Sequence, residues 1–473
     1  MSSLKFGTSG LRGLAAELEG QAARRYMRAF ITHLCRQGMA GSGRIFIGRD
    51  FRPSSPAIAA DCAMAIAAAG LEPVDCGMLA VPALALHAMA AGSAAVMVTG
   101  SHVPAERNGL KFYLPGGEVG KADEAGILAA LGPEPVPDLT VSMAQEGALA
   151  QQRYIARFAD LLPARQLKGW RIGIFEHSSV VRDVLGQVLR QFGAETIGLG
   201  RADNFVAVDS EALGDEVFAP LPGWLEQYGL DAIVSADADG DRPLLMDGRG
   251  QFVRGDVLGL VTARYLGAES VVTPVTANSG IERIGAFARV VRTRVGSPYV
   301  MAAMAEAPGA VIGFEANGGT FVGRHVSVAG RHLPELATRD AVLPILCMLG
   351  ATGPGRRIED VVAQLPLQAA LADRLRNVPE ARSRRFLGRL ADDPDYAAAL
   401  FEPHGIAELV QIDGLQFRTG AGDMVHFRAS GNAPELRCYV EGSSMDIARD
   451  LLRWGMNIAA RELGLDDEEG REL

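Results

Sequence analysis

Ser101, His102 and Lys111 stand together in "VMVTGSHVPAERNGLKFY" (residues 96–113), where an apolar run breaks at a Thr-Gly-Ser-His loop. A serine there can carry a phosphoryl group, while the histidine and lysine shuttle protons or balance charge. Ser101 lies outside any G-x-S-x-G frame, which argues against a hydrolase nucleophile elbow. Taken singly, a helix cap is the commoner role for Ser101, and an ordinary loop histidine for His102. "FGTSGLRG" (6–13) adds a Gly-rich loop carrying Arg12, again ambiguous alone.

"DADGDR" (237–242) spaces Asp237, Asp239 and Asp241 at every second position after an apolar run, so their oxygens can converge on a hard cation such as Mg²⁺. Calcium-sensor logic fails, because the sixth and twelfth loop positions are Arg242 and Gly248. Arg242 suits an anion that bridges to the metal. "HFRASGNAPELR" (426–437) offers Ser430, Gly431 and Asn432 in a tight turn flanked by Arg428 and Arg437, the inventory of a phosphate cradle. It is not a Walker-type loop, so nucleotide hydrolysis is not indicated. "GFEANGG" (313–319) supplies Glu315, a carboxylate acceptor, and Asn317, an amide that both donates and accepts, a pair that matches vicinal sugar hydroxyls. Met alone, the loops 426–437 and 313–319 are more commonly ordinary turns, whereas three aspartates closing a buried-type strand favour a metal site over a solvated turn.

The elements that must hold them repeat. Residues 44–77, 171–200 and 270–296 each read strand, polar turn, helix, strand. Each is followed by a further apolar run: "AAVMVTG" (94–100), "DAIVSAD" (231–237) and "GAVIGFE" (309–315). Open α/β sheets place ligand loops at strand ends, so three units present three loops of different chemistry. Past residue 367 the pattern changes to a charged, helix-like stretch, then short strands and a final helix over 444–464. The expected fold is α/β: three related mixed-sheet domains (1–150, 151–254, 255–367) plus a C-terminal α+β domain (368–473) around a central active-site cleft.

Composition narrows the function. Lys and Arg total 46 against 56 Asp and Glu, a net charge of −10 with no basic run, which gives no footprint for nucleic acid. Five scattered cysteines without a C-x-x-C pair suggest inert thiols in a reducing compartment. No signal-peptide pattern is present, and the Ala-rich run 57–70 carries Asp61 and is too short to span a bilayer. A cytoplasmic protein without membrane partners is expected.

Together the loops resemble the α-D-phosphohexomutase superfamily. "FGTSGLRG" is similar to its "FGTDGIRG"-like segment, "IGRDFRPSS" (47–55) to "GRDxRxSS", and "TGSHVPAERNGLK" (99–111) to "TASHNP…NG.K". "DADGDR" matches its "DxDxDR" and "RASGNAPE" its "RPSGTEP". The resemblance implies that Ser101 is a phosphoserine, that Asp237, Asp239 and Asp241 bind Mg²⁺ together with its oxygen, and that His102 and Lys111 are the acid–base candidates. Glu315 would read the sugar, Arg294 in "RTRVG" would contact substrate, and Arg428, Ser430, Gly431 and Asn432 would form the phosphate loop. Gly100 for Ala and Val103 for Asn lie off the reacting atom and are expected to matter little. The sugar loop departs most: where many members read "GE-x-S-G-H", this chain has Asn317 for Ser and Gly319 for His.

The resemblance implies a reversible mutase that interconverts hexose 1- and 6-phosphates, with a hexose 1,6-bisphosphate as activator. Phosphomannomutase activity is favoured, with phosphoglucosamine mutase or phosphoglucomutase as alternatives. Outside that class stand a non-catalytic sugar-phosphate-binding relative and a metal-dependent phosphatase.

Overall fold

The computed structural model describes residues 3–7, 10–211, 216–431 and 434–465. The chain folds into two compact units, each assembled from more than one stretch of sequence. One comprises 1–272, 286–289 and 296–364; the other comprises 273–285, 290–295 and 365–473.

The repeat seen in the sequence is a repeat of topology. In the first sheet the strand Ala94–Val98 runs parallel to Arg44–Arg49 and antiparallel to Arg107–Leu114. In the second, Ala232–Ala236 runs parallel to Arg171–Phe175 and antiparallel to Pro243–Asp247. In the third, Val311–Phe314 pairs in parallel with Ser270–Val272 and antiparallel with Thr320–Val322. Every residue of these three inner strands is buried, which is why they read as continuous apolar runs instead of alternating ones. Each chemistry-bearing loop therefore leaves the C-terminal end of the same strand of its repeat.

Helices cover the sheets as the patterning predicts. The Ala-rich run forms the helix Ser55–Ala68, buried on most sides. Its one interior carboxylate, Asp61, accepts from Arg24 Nε at 2.8 Å and from the Gly20 N–H at 2.6 Å. The third repeat departs from the other two, since a six-residue 3₁₀ helix, Ser279–Ile284, replaces the longer helix.

The C-terminal unit holds an antiparallel sheet in the order 369–375, 436–442, 424–429, 415–418, 408–410. Its closing helix, Met445–Glu462, is capped by the Ser444 side chain. Helix-like composition hides the strand Ala369–Leu375, whose seven residues all pair with 436–442. There the sheet partner overrides the helical preference of Ala and Leu.

Two interior histidines give the fold an acid limit. His177 and His426 each donate from Nε2 to a backbone carbonyl, of Ala236 (2.9 Å) and Asp413 (2.7 Å), and burial pulls both pKa values down to about 4. Both stay neutral in the folded chain while the unfolded chain takes up protons below about pH 6.5, so stability falls with falling pH between 6.5 and 4. Each accounts for roughly 3 kcal/mol over that window. His426→Gln, which keeps an N–H donor, is expected to flatten the acid limb of urea-midpoint against pH. A limb of unchanged slope would exclude His426 as its cause.

Candidate active site

The loop 237–242 is closed on itself and pinned from outside. The Asp237 N–H donates to the Arg242 carbonyl (3.1 Å), and Asp237 Oδ1 accepts from the N–H groups of Asp241 and Arg242 (3.1 Å each). Gly240 turns the chain at φ +72°, where a Cβ would lie 2.5 Å from Val181 Cγ1. Ser179 Oγ and the N–H groups of Val180 and Val81 hold the carbonyls of Asp237, Ala238 and Asp239.

So fixed, the three aspartates are fully buried with carboxylate oxygens within 4.8 Å of one another. Lys111 Nζ donates to Asp239 Oδ2 and Asp241 Oδ2 at 2.6 Å each. Arg339 donates to the same Asp241 oxygen from Nε (3.1 Å) and Nη2 (2.7 Å). The other oxygens, Asp239 Oδ1 and Asp241 Oδ1, are buried with no hydrogen-bond donor among the described residues. Buried carboxylate oxygens without donors, in a triad this close, are what a hard divalent cation satisfies, so the residues fit Mg²⁺. Burial, with Asp239 and Asp241 nearby, pushes Asp237 well above the ordinary carboxylate range. For Asp241 burial acts the same way, but Arg339 and Lys111 outweigh it and hold the group low. Burial also disfavours the Lys111 ammonium, yet Asp239 and Asp241 raise its pKa overall. Lys111 is thus a charge partner, already engaged.

Ser101 reaches this loop from the first sheet. Its Oγ donates to Asp237 Oδ2 at 2.6 Å, and His102 Nδ1 lies 3.4 Å from the same Oγ. Ser101 adopts φ +55°, a left-handed conformation that costs a non-glycine residue of the order of 1–3 kcal/mol. The surroundings over-determine it. Asp50 accepts from Thr99 Oγ1 (2.8 Å), which in turn accepts the Ser101 N–H (2.8 Å). Arg52, 1 % exposed, donates to the carbonyls of Ser101, Val103, Pro104 and Arg107 at 2.5–3.0 Å. Burial, then Arg242 and Arg12, keep the His102 imidazole neutral, well below its usual pKa. Burial and the same Arg242 bring Arg12 down to about 10, and the buried Arg12 Nε has no partner among the described residues. Cations crowded this closely favour an anion between them.

The loop 315–319 packs on the metal loop. Gly318 turns at φ +87°, and a Cβ there would lie 2.7 Å from Pro243 Cγ. Glu315 Oε2 accepts from Arg339 Nη1 at 2.6 Å. Asn317 Oδ1 already accepts the Gly319 N–H (3.0 Å), so the amide can offer its NH₂ group more readily than its carbonyl.

In the other unit Arg428, Arg437 and Arg374 lie directly opposite one another on three adjacent strands. Like charges so placed repel unless an anion joins them. Glu435 (3.5 Å from Arg374 and from Arg437) and Asp413 (2.8 Å from Arg428 Nε) offset part of the charge. Asp413 Oδ2 also accepts the Val295 N–H at 3.0 Å, which brings the Arg294 segment into the same unit as Arg428. The Ser430 N–H donates to the Glu435 carbonyl, closing the turn that carries Gly431. Asn432 lies outside the described residues.

One unit therefore gathers Arg12, Ser101, His102, Lys111, the three aspartates, Arg242, Glu315 and Asn317. The other gathers Arg294, Arg428, Ser430, Gly431 and Arg437. Sequence reasoning missed Arg339, which sits in no motif, and the anchoring pair Asp50 and Arg52. It also undervalued Gly100. A Cβ at that position would lie 2.6 Å from Arg52 Cζ, and Arg52 is tied down by four carbonyls. Gly100→Ala is expected to cost roughly 1–3 kcal/mol in urea unfolding, as overpacking of a rigid site does. An unchanged midpoint would mean that the Arg52 anchor yields.

Known proteins match this arrangement. The profiles described as phosphoglucomutase/phosphomannomutase alpha/beta/alpha domain I, alpha/beta/alpha domain III and C-terminal domain match residues 3–134, 254–368 and 375–453. A phosphomannomutase of Sinorhizobium fredii is 46% identical, covering 96% of this chain and 98% of its own. A phosphoglucosamine mutase of a Synechococcus strain is 30% identical, over 94% and 92%. The crystal structure of a phosphoglucomutase/phosphomannomutase family protein from Burkholderia thailandensis superposes with a TM-score of 0.78 at 18% identity, covering 98% of both chains. The loop chemistry, the repeated topology and these likenesses agree: the chain belongs to the phosphoglucomutase/phosphomannomutase family of the α-D-phosphohexomutase superfamily.

Proposed function

We propose that this chain is a reversible phosphohexomutase acting on mannose phosphates, with Ser101 as the phosphoryl carrier. The observation that carries the reading is the buried Ser101 Oγ, 2.6 Å from Asp237 and beside two orphaned carboxylate oxygens. Mannose is favoured over glucosamine because the phosphomannomutase relative is the nearer of the two, at 46% against 30% identity.

The O–P bond of phosphoserine 101 breaks as a free hydroxyl of the hexose phosphate forms its own. His102, neutral and so free to take a proton, accepts it from the hydroxyl and passes it to the departing Ser101 Oγ, 3.4 Å from its Nδ1. The chain then holds serine and a hexose 1,6-bisphosphate, which turns end for end and returns its other phosphoryl group to Ser101. Asp237, Asp239 and Asp241 would hold Mg²⁺, which when bound offsets charge on the phosphoryl and serine oxygens. Lys111 and Arg339 keep one oxygen of Asp239 and of Asp241 occupied and leave the other presented. Arg12 and Arg242 steady the phosphoryl group, and Glu315 with the Asn317 NH₂ group grips sugar hydroxyls in either orientation. Within the C-terminal unit, Arg294, Arg428, Ser430, Gly431, Asn432 and Arg437 offer phosphate-binding groups of their own.

This division of labour follows domains taken as 1–150, 151–254, 255–367 and 368–473. Added hexose 1,6-bisphosphate would restore chains that have lost the phosphoryl group. In this reading small hexose phosphates are the partners and the cytoplasm is the location.

Phosphorus and carbon NMR of purified protein with Mg²⁺, mannose 1-phosphate and a trace of bisphosphate tests the reading. Mannose 6-phosphate is expected to appear, and Ser101→Ala to slow it by ~10³-fold or more, the loss typical of a covalent nucleophile. Faster turnover of glucose or glucosamine phosphates would reassign the sugar. Free phosphate as sole product would replace the mutase by a phosphatase.

A further inference from the structure

The strand Leu336–Asp340 ties three segments together through consecutive residues. Thr338 Oγ1 donates to Glu118 Oε1 (2.6 Å), and Asp340 Oδ1 accepts from the Tyr154 hydroxyl (2.6 Å). Between them Arg339, 3 % exposed, spans Asp241 Oδ2 and Glu315 Oε2 with one guanidinium group. It is thus the one described side chain that joins the metal loop directly to the sugar loop by hydrogen bonds at both ends.

Gly319 makes room for it. A Cβ on Gly319 would lie 2.5 Å from Arg339 Cδ, 2.8 Å from its Cγ and 2.9 Å from the Asp241 carbonyl oxygen. Gly318 beside it needs glycine for its positive φ; Gly319 has no such φ, so its missing side chain is a matter of space. Where related loops carry a histidine, this chain has an arginine stem arriving from another strand.

We propose that Arg339 is a positioning residue for sugar recognition and that Gly319 is glycine in order to admit it. By holding Glu315 Oε2, Arg339 fixes the plane in which that carboxylate meets the hexose hydroxyls; through Asp241 it locks the same plane to the metal loop. Lysine is a poor substitute, because its single Nζ cannot set two donors on Asp241 Oδ2 and a third, from a separate atom, on Glu315 Oε2 as the planar fork does. The proposal rests on the sugar-reading role assigned to Glu315 above.

The test measures kcat and KM for mannose 1-phosphate, and calorimetric Kd for mannose 6-phosphate, in four proteins: wild type, Arg339→Lys, Arg339→Ala and Gly319→Ala. The double variant Gly319→Ala/Arg339→Ala completes a cycle. Arg339→Lys keeps the charge and so the fold, and is expected to raise KM and Kd by ~10-fold while kcat falls less than ~3-fold. Gly319→Ala is expected to do the same in wild type, but to change KM less than ~2-fold once Arg339 is alanine. A purely structural role would lower the active fraction, hence kcat, and leave KM and Kd alone. That result in Arg339→Lys overturns the proposal, as does strict additivity in the cycle. The Arg339→Lys result decides if Arg339→Ala fails to fold. Wild type that binds mannose 6-phosphate without turnover would sink the mutase reading alone, with Kd still reporting on Arg339. Wild type that neither binds nor turns over any hexose phosphate would sink both.

Discussion

Three carboxylates buried within 4.8 Å of one another are the constraint on which the N-terminal unit depends. Each buried ion carries a desolvation penalty of about several kcal/mol, and their mutual repulsion adds to it. The chain answers with cations from elsewhere: Lys111 from the first sheet and Arg339 from the third, each on an oxygen of the second sheet's loop. The charge balance can be met only when all three repeats are folded and adjacent. Two carboxylate oxygens are still left without hydrogen-bond donors among the described residues, the kind of residual frustration expected of a site built for a ligand and not for stability.

The same logic explains the strain at Ser101. A left-handed non-glycine residue persists only where its neighbours leave no alternative. The buried Asp50–Arg52 pair supplies that enclosure, Asp50 through Thr99 and Arg52 through four carbonyls of the loop. The serine oxygen is thereby delivered to Asp237 from a backbone that its neighbours hold in place.

How much of this was legible in the sequence depended on range. The three inner strands and their loops were readable because a fully buried strand is a continuous apolar run, and its end is marked by polar, Gly-containing residues. The carboxylate triad was readable because its ligands lie within one loop. Arg339 was not, since nothing local distinguishes "ATRDA" from any strand end; its meaning lies in Asp241 and Glu315, 98 and 24 residues away. Gly319 carried the only hint, as a missing side chain whose occupant lay elsewhere. The strand Ala369–Leu375 was hidden for a related reason, because Ala and Leu favour helix until a sheet partner decides otherwise. Asn317 was read as both donor and acceptor, and the loop's own turn claims the acceptor.

Arg294 shows how a segment can be assigned by chain order and yet belong elsewhere. It lies within the third repeat in sequence, but residues 290–295 pack with the C-terminal unit. Asp413 explains why: one carboxylate oxygen accepts both the Val295 N–H and the Arg428 Nε. The anionic bridge holds the Arg294 segment and the Arg428 turn in one fixed relation. Beside them the row of Arg374, Arg437 and Arg428 keeps more positive charge than Glu435 and Asp413 can offset. Arg294 and the Arg428 turn therefore belong to one compact unit, and in the proposed reading they serve as a single anion-recognition element, not as contacts contributed separately by two domains.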